Sequence, residues 1–443
     1  MEEWLKKRRV TEVECLVPDL TGIPRGKILP ANKFVKSLRD RSLRLPEQIF
    51  IQTVTGEWLL ADEDPTDPTV PDVYLEPDPS SLRMVPWYEE PTAQVIHDCV
   101  YADGAPVGMA PRRVLRRVIE LYDERGWRPV VAPELEFFLV ATNADPDYPL
   151  EPPVGRSGRP ETGRQSYGID AVNEFDPLFE DVYDYCEAQE IDIDTLTHEA
   201  GAAQMEINFE HGDALRAADD AMLFKRTVRQ AALRHKVYAT FMAKPMENEP
   251  GSSMHIHQSV VDKKTGRNLF ATRNGRDSKL FLSHIAGLQK FLPAAMPLLA
   301  PNVNSFRRLQ RYSDAPINVH WGRENRTVGF RVPNSGPSAR RVENRVAGAD
   351  VNPYLAIAAS LACGYLGMVN GLEPSKPIQG SGYDRAHGLP RHLLDALDKF
   401  RASKSLREVL GEDFVKVVIA VKQAEHGAYQ RVISSWEREH LLL

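Results

Sequence analysis

Apolar and polar residues alternate with a period of two in four separate stretches of the chain. In RPVVAPELEFFLV (128–140), Glu134 and Glu136 fall on one face of an extended segment while Leu135 and Phe137 fall on the other. In IDIDTLTHEAGAAQMEINFE (191–210), two strands flank a turn of small residues, and Gln204, Glu206 and Asn208 oppose Met205, Ile207 and Phe209. In PGSSMHIHQSV (250–260), His255 and His257 share a face. In TVGFRVP (327–333), Val328, Phe330 and Val332 point inward, with Gly329 and Arg331 on the opposite side.

Other stretches change to the helical period. PRRVLRRVIELYDERG (111–126) spaces Val114, Leu115, Val118, Ile119 and Tyr122 along one helix face, and Gly126 suits its end. DPLFEDVYDYCEAQE (176–190) and DALRAADDAMLFKRTVRQAALRHK (213–236) predict two more helices. From residue 10 to about 100 the chain reads instead as short strands broken by Pro, Gly and Asp. The switch of period places a boundary near 105, giving an N-terminal domain over 1–105 and a second domain over 106–443. Residues 143–168, rich in Pro and Gly, read as an exposed loop. Helices separated by antiparallel-looking strands predict an α+β fold.

One segment has a membrane-spanning length. YLAIAASLACGYLGMVNGL (354–372) is nearly free of polar side chains, but it is built from Ala, Gly and Ser, and no second apolar span accompanies it. Asp350 or Asn352 can cap it, and Pro353 suits its first turn, so a close-packed interior helix is expected. The composition is that of a globular protein, at 42% hydrophobic and 26% charged. A net charge of −7 offers no basic field for nucleic acid or an anionic membrane. Four cysteines without a C-x-x-C pair, and a charged start lacking an apolar core, point to the cytoplasm.

The carboxylates change the picture most. Glu134, Glu136, Glu199, Glu206 and Glu343 are ordinary surface residues taken singly, but strands sharing one core would bring them into one cavity. Two carboxylates about 5 Å apart repel by roughly 3 kcal/mol at an effective dielectric of 20. Five therefore require cations, and oxygen ligands with an imidazole suit Mg²⁺ or Mn²⁺ better than zinc. The two histidines of H-x-H could be two ligands of one metal, have separate duties, or be packed core residues. Downstream, GRENRTVGFRVPNSGPSARRVENR (322–345) holds six arginines and no lysine, a composition suited to bidentate grip on phosphate or carboxylate. Carboxylates for metal plus an arginine cluster is equipment for phosphoryl transfer. No Walker A loop is present: GRPETGRQS (158–166) carries Arg164 and Gln165 where lysine and a hydroxyl residue belong. No G-x-G-x-x-G fingerprint occurs either.

Nine motifs, in order along nearly the whole chain, resemble the glutamine synthetase family: DLTGIPRGK, PDVYLEPD, PELEFF, HEAGAAQMEIN, FMAKP, PGSSMHIHQS, NSFRRL, ENRTVGFRVP and ARRVENRVAGADVNPYLAIAA. The resemblance implies an N-terminal β-grasp domain and a catalytic domain whose curved antiparallel sheet frames a funnel. It also implies a ring of subunits, dodecameric by the family's habit, with each site closed by a neighbour's N-terminal domain. Glu136, Glu199 and Glu206 match the ligands of one divalent metal; Glu134, His255 and Glu343 match those of a second. His257, Ser259, Arg331 and Arg341 match positions near ATP. Gly251, Arg308, Arg326 and Arg345 match those holding substrate L-glutamate, with Arg326 also reaching the transferring phosphate. Asp72 matches the carboxylate that receives the incoming amine from the neighbouring subunit. On this reading the histidines divide their labour, one on metal and one beside phosphate.

The chain departs from the ammonia-using enzymes after the R-R-L motif. There it reads QRYSDAP, with Asp314 in place of the glutamate that closes the site and accepts a proton, and with Tyr312 and Ser313 for the usual glycine and tyrosine. The shorter carboxylate leaves room for an alkylamine. No adenylylation loop is clearly matched; SGYDRAHGLP (381–390) is the nearest piece. GIDAVNEFDPLFEDVYDYCE, RHKVYATFMAKP and LACGYLGM look most similar to the γ-glutamylpolyamine (γ-glutamylputrescine) synthetase branch. The expected activity is ATP-dependent ligation of glutamate to a polyamine. The rivals are glutamine synthesis from ammonia, another acceptor such as ethanolamine, and a non-catalytic scaffold.

Overall fold

The computed structural model describes residues 1–59, 65, 66, 69 and 71–442. Part of the strand-like stretch expected between 53 and 72 lies outside the described residues.

Two sheets organise an α+β fold. The first has six strands: Glu12–Pro18, Pro24–Pro30, Arg44–Pro46, Asp72–Pro77, Arg83–Val85 and Thr92–Val100. Glu12–Pro18 runs parallel to Thr92–Val100, and the remaining pairs are antiparallel. Phe34, from the helix Ala31–Asp40, is fully buried and meets His97 of this sheet edge-on.

The second sheet carries nine strands. Its spine is the long strand Trp127–Ala141, flanked by Met254–Asp262 on one side and Gln204–Phe209 on the other. Beyond these lie Val342–Asn344, Phe330–Val332 and Trp321–Arg323 at one end, and Ile193–His198 at the other. Every pairing is antiparallel except that between the two last short strands of the arginine-rich region, Trp321–Arg323 and Phe330–Val332. Val328, Phe330 and Val332 are fully buried, as the alternation predicts.

The helix Pro353–Val369 is buried along its length, through Met368. Asn352 is its cap, accepting from the Tyr354 and Leu355 amides, while Asp350 turns away to accept from Asn302 and Ser305. The small residues have a steric purpose. A Cβ on Gly287, in the helix Lys279–Ala295, would stand 2.2 Å from the Cys363 carbonyl, and one on Gly367 2.1 Å from the Ser283 carbonyl. Larger side chains would force these two helices apart and open voids in a core that must be packed near crystal density. Among the described residues no helix is long and apolar enough to cross a membrane.

The sheets are joined by charge. Arg112, 2% exposed on the helix Pro111–Asp123, donates to Asp78 and Asp98 of the first sheet's region and to Asp219 of the helix Ala214–Arg234. Arg116 adds contacts to Asp78 and Asp98, and the Tyr354 hydroxyl donates to Asp219 at 2.6 Å.

Candidate active site

Strand register brings four of the five acidic residues together. Glu134 lies directly opposite His255 on one neighbouring strand and Asn208 on the other; Glu136 lies opposite Glu206; Glu343 lies opposite both His257 and Arg331. Directly opposed residues send their side chains to the same face. Glu199 joins from the turn after Ile193–His198, a turn fixed from outside. Glu161 accepts from His198 Nε2 at 3.0 Å and the Ala203 amide at 2.8 Å, and Glu249 accepts from the Ala202 amide at 3.0 Å.

Two acidic groups result. In the first, ligand atoms of Glu136, Glu199 and Glu206 all lie within 4.8 Å of one another. In the second, His255 Nδ1 is 3.7 Å from both Glu134 and Glu343. His257 stands nearer still, its Nε2 2.7 Å from Glu134, so that it is His257 that converges with Glu134 and Glu343 within 4.8 Å, while His255 does so with Glu134 and Glu206. Arg341 donates to His257 Nδ1 at 3.1 Å, which leaves the Nε2 proton for Glu134. His257 therefore bridges the acidic group and the arginine wall.

The two groups differ in their neutralisation. Burial alone would push the Glu343 carboxyl up, but Arg345 and the two histidines hold it down, at about 2. Glu134 is likewise held low despite burial, by His255 and His257. Glu136, Glu199 and Glu206 have no lysine or arginine within 4 Å among the described residues. Burial, with Glu134, Glu136 and Glu199 adding repulsion, pushes Glu206 up to about 9. Burial and Glu136 push Glu199 up to about 7. Burial also raises Glu136, against two hydrogen bonds from Ser253. Buried carboxylates that cannot all ionise, beside a His255 Nε2 with no hydrogen-bond partner, are what a hard divalent cation would satisfy. The donor set fits such a metal.

Facing the acids, Arg331 donates to Glu343 at 2.8 Å and Arg345 contacts the same carboxylate. Arg308, 2% exposed, is fixed by the Val346 and Arg345 carbonyls at 2.9 and 3.0 Å. Gly251 packs on it so closely that a Cβ would fall 2.5 Å from Arg308 Cγ and 2.6 Å from the Ala243 carbonyl. Arg326 is exposed and within electrostatic reach of Glu199. A cavity of about 580 Å³ opens beside the second group, lined by Glu134, Asn208, His257, Ser259, Arg331 and Arg341 among others.

Two expected residues lie apart. Asp72 begins an exposed end of a strand in the first sheet, and Asp314 is exposed on a loop, outside both acidic groups. Three contributors escaped the sequence reading. Ser253 sits within the quoted H-x-H stretch but gave no sign of gripping Glu136. Asn208, opposite Glu134, has a buried carbonyl oxygen without a partner and had already been placed on the Glu206 face by alternation. Glu161 comes from the exposed loop, and nothing local betrays its reach.

Residues 108–441 match the glutamine synthetase catalytic domain. The chain is 38% identical to gamma-glutamylputrescine synthetase PuuA of Escherichia coli (strain K12), over 97% of this chain and 91% of that one. It is 33% identical to glutamate–isopropylamine ligase of Pseudomonas sp, over 99% and 96% respectively. A solved structure described as apo GmaS without ligand superimposes with a TM-score of 0.84 at 27% identity, covering 100% of this chain and 99% of the other. The chain belongs to the glutamine synthetase family of carbon–nitrogen ligases.

Proposed function

We propose that this protein joins the γ-carboxylate of L-glutamate to a primary amine, a polyamine such as putrescine, using ATP and releasing ADP and phosphate. The observation that carries the reading is the trio Glu136, Glu199 and Glu206, without a direct lysine or arginine partner among the described residues, near an arginine wall and a nucleotide-sized cavity. The relatives named for putrescine and isopropylamine ligation support an amine as acceptor.

Glu136, Glu199 and Glu206 would hold one Mg²⁺ or Mn²⁺, and Glu134, His255 and Glu343 another. Bound there, divalent cations neutralise charge on the transferring phosphoryl group. His257, Ser259, Arg331 and Arg341 line the ATP cavity. Arg308, Arg345 and the Gly251 backbone orient glutamate, and Arg326 reaches its activated end. A carboxylate is a poor electrophile, so a γ-carboxylate oxygen first attacks the terminal phosphorus and ADP departs, giving γ-glutamyl phosphate. The amine nitrogen then attacks the acyl carbon, and the C–O bond to phosphate breaks. An ammonium has no lone pair, so a carboxylate must take its proton; Asp314 does so from its loop, and Asp72, contributed across a subunit boundary, receives the amine.

That last role depends on assembly. The six-stranded sheet acts as a separate domain ending near residue 105, and the chain closes into a cytoplasmic ring with sites between subunits. Phosphate release is measured with ATP, glutamate and Mg²⁺ against ammonium, putrescine, spermidine, ethanolamine or no amine. Putrescine or spermidine is expected to give the fastest turnover. Fastest turnover with ammonium overturns the polyamine assignment, and silence with every acceptor overturns the ligase.

A further inference from the structure

Two non-glycine residues only two apart, Tyr312 and Asp314, both adopt left-handed backbone, with φ of 59° and 57°. Such a conformation is unfavourable for L side chains and persists only where the surroundings impose it. Here Ser313, between them, folds back so that its hydroxyl lies 2.8 Å from the Arg308 carbonyl and 2.6 Å from that of Gln310. The strained loop is thereby tied to the buried arginine.

The strain delivers an aromatic to an unusual place. Tyr312 is 73% exposed, yet its ring packs on Tyr383 with centroids 5.2 Å apart and planes at 53°. Tyr383 is 7% exposed and belongs to a firmly held segment. The Gly382 amide donates to Thr327 Oγ1 at 2.6 Å, Asn318 donates to the Gly382 carbonyl at 2.8 Å, and a Cβ on Gly382 would fall 2.2 Å from the Thr327 carbonyl. Asp314, Arg308 and Arg345 all lie within electrostatic reach of the Tyr383 ring. The fold therefore holds an open aromatic surface beside a carboxylate, next to two arginines of the candidate site. Free ammonia needs no such surface. A methylene chain gains from lying on ring faces, and a cationic head gains from both rings and carboxylate.

We propose that Tyr312 and Tyr383 form the shelf on which the hydrocarbon chain of the acceptor lies, so that the substrate class is a primary alkylamine of several methylenes. The inference rests on the ligase reading above and names what sets its acceptor specificity. Tyr312 supplies the outer, adjustable half of the shelf, and Tyr383 the fixed half.

Initial rates are compared for wild type, Tyr312→Ala and Tyr312→Phe with n-butylamine, putrescine and ammonium as acceptors. Tyr312→Ala is expected to raise KM for n-butylamine and putrescine about tenfold, the equivalent of roughly two buried methylenes. KM for ATP and glutamate, and the rate with ammonium, stay as in wild type, and Tyr312→Phe restores the alkylamine KM. Because Tyr312 is exposed its removal spares the fold; Tyr383→Leu provides the second variant, with the same selective loss expected. A shift shared equally with ammonium, or no shift with n-butylamine, overturns the shelf while leaving the ligase standing. A wild type silent with every acceptor removes both.

Discussion

The protein contains two buried charge clusters of opposite character. Around Arg112, aspartates 78, 98 and 219 meet guanidinium groups at hydrogen-bond distance, and although burial opposes it, Ser80 and Arg112 hold Asp78 down at about 2. In the candidate site, Glu136, Glu199 and Glu206 face one another with no lysine or arginine within 4 Å among the described residues, and Glu206 is pushed up to about 9. The first cluster is complete within the chain and is architectural. The second is left incomplete, and this incompleteness marks the site that must receive something from outside.

The sharpest way to break the contrast is to make the balanced cluster resemble the other. Arg112→Ala leaves Asp219 with no guanidinium partner among the described residues and Asp78 and Asp98 with Arg116 alone, and removing one partner of a buried network costs about 3–5 kcal/mol. Denaturant titration is expected to show a loss of that size; a loss below about 1 kcal/mol would mean the cluster is no more than a surface ion pair.

The second test reads the acidic site through pH. In the metal-free protein Glu206 keeps its proton to about 9, while the unfolded chain gives it up near the ordinary value of 4.5. The native state thus binds more protons between these limits, and stability falls as pH rises through them. Without metal the loss from pH 5 to 8 is expected to approach about 1.4 kcal/mol per pH unit for Glu206, with Glu199 adding to it up to about 7. Saturating Mg²⁺ reverses it, and Glu206→Gln flattens both the pH dependence and the response to Mg²⁺. The balanced cluster behaves oppositely, since Asp78 contributes stability above its unfolded value of 3.8 that is lost only as pH falls toward 2. A metal-free protein as stable at pH 8 as at pH 5 would contradict the incomplete cluster.

The smallest effect concerns histidines outside both clusters. Burial pushes His97 down to about 4 and His284 to about 3, from 6.5. Below pH 6.5 the unfolded chain binds protons that the native chain refuses, so stability falls with acid, by up to about 1.4 kcal/mol per pH unit for each group. His284→Leu is expected to reduce the slope between pH 6 and 4.5; an unchanged slope excludes His284 as a source.

What the sequence made legible follows from the same division. Period-two alternation put Glu134, Glu136, His255, His257 and Glu206 on strand faces, and antiparallel register then opposed them. That is local information, and the helix Pro353–Val369 was equally readable from its small residues and cap. Long-range pairings were not readable. Arg112 looked like one more polar position on an amphipathic helix, because its three aspartates come from residues 78, 98 and 219. Glu161 and the Tyr312–Tyr383 stack also join distant loops, and the left-handed backbone at Tyr312 leaves no trace in a residue type that usually avoids it.

The Arg112 hub also dictates where this polypeptide can be divided. A cut near residue 105 would strip Asp78 and Asp98 from the larger piece, leaving a guanidinium buried with only Asp219, and would deny the smaller piece its cation. Swapping the first hundred or so residues between relatives should therefore succeed only when both aspartates travel with the graft and an arginine awaits them.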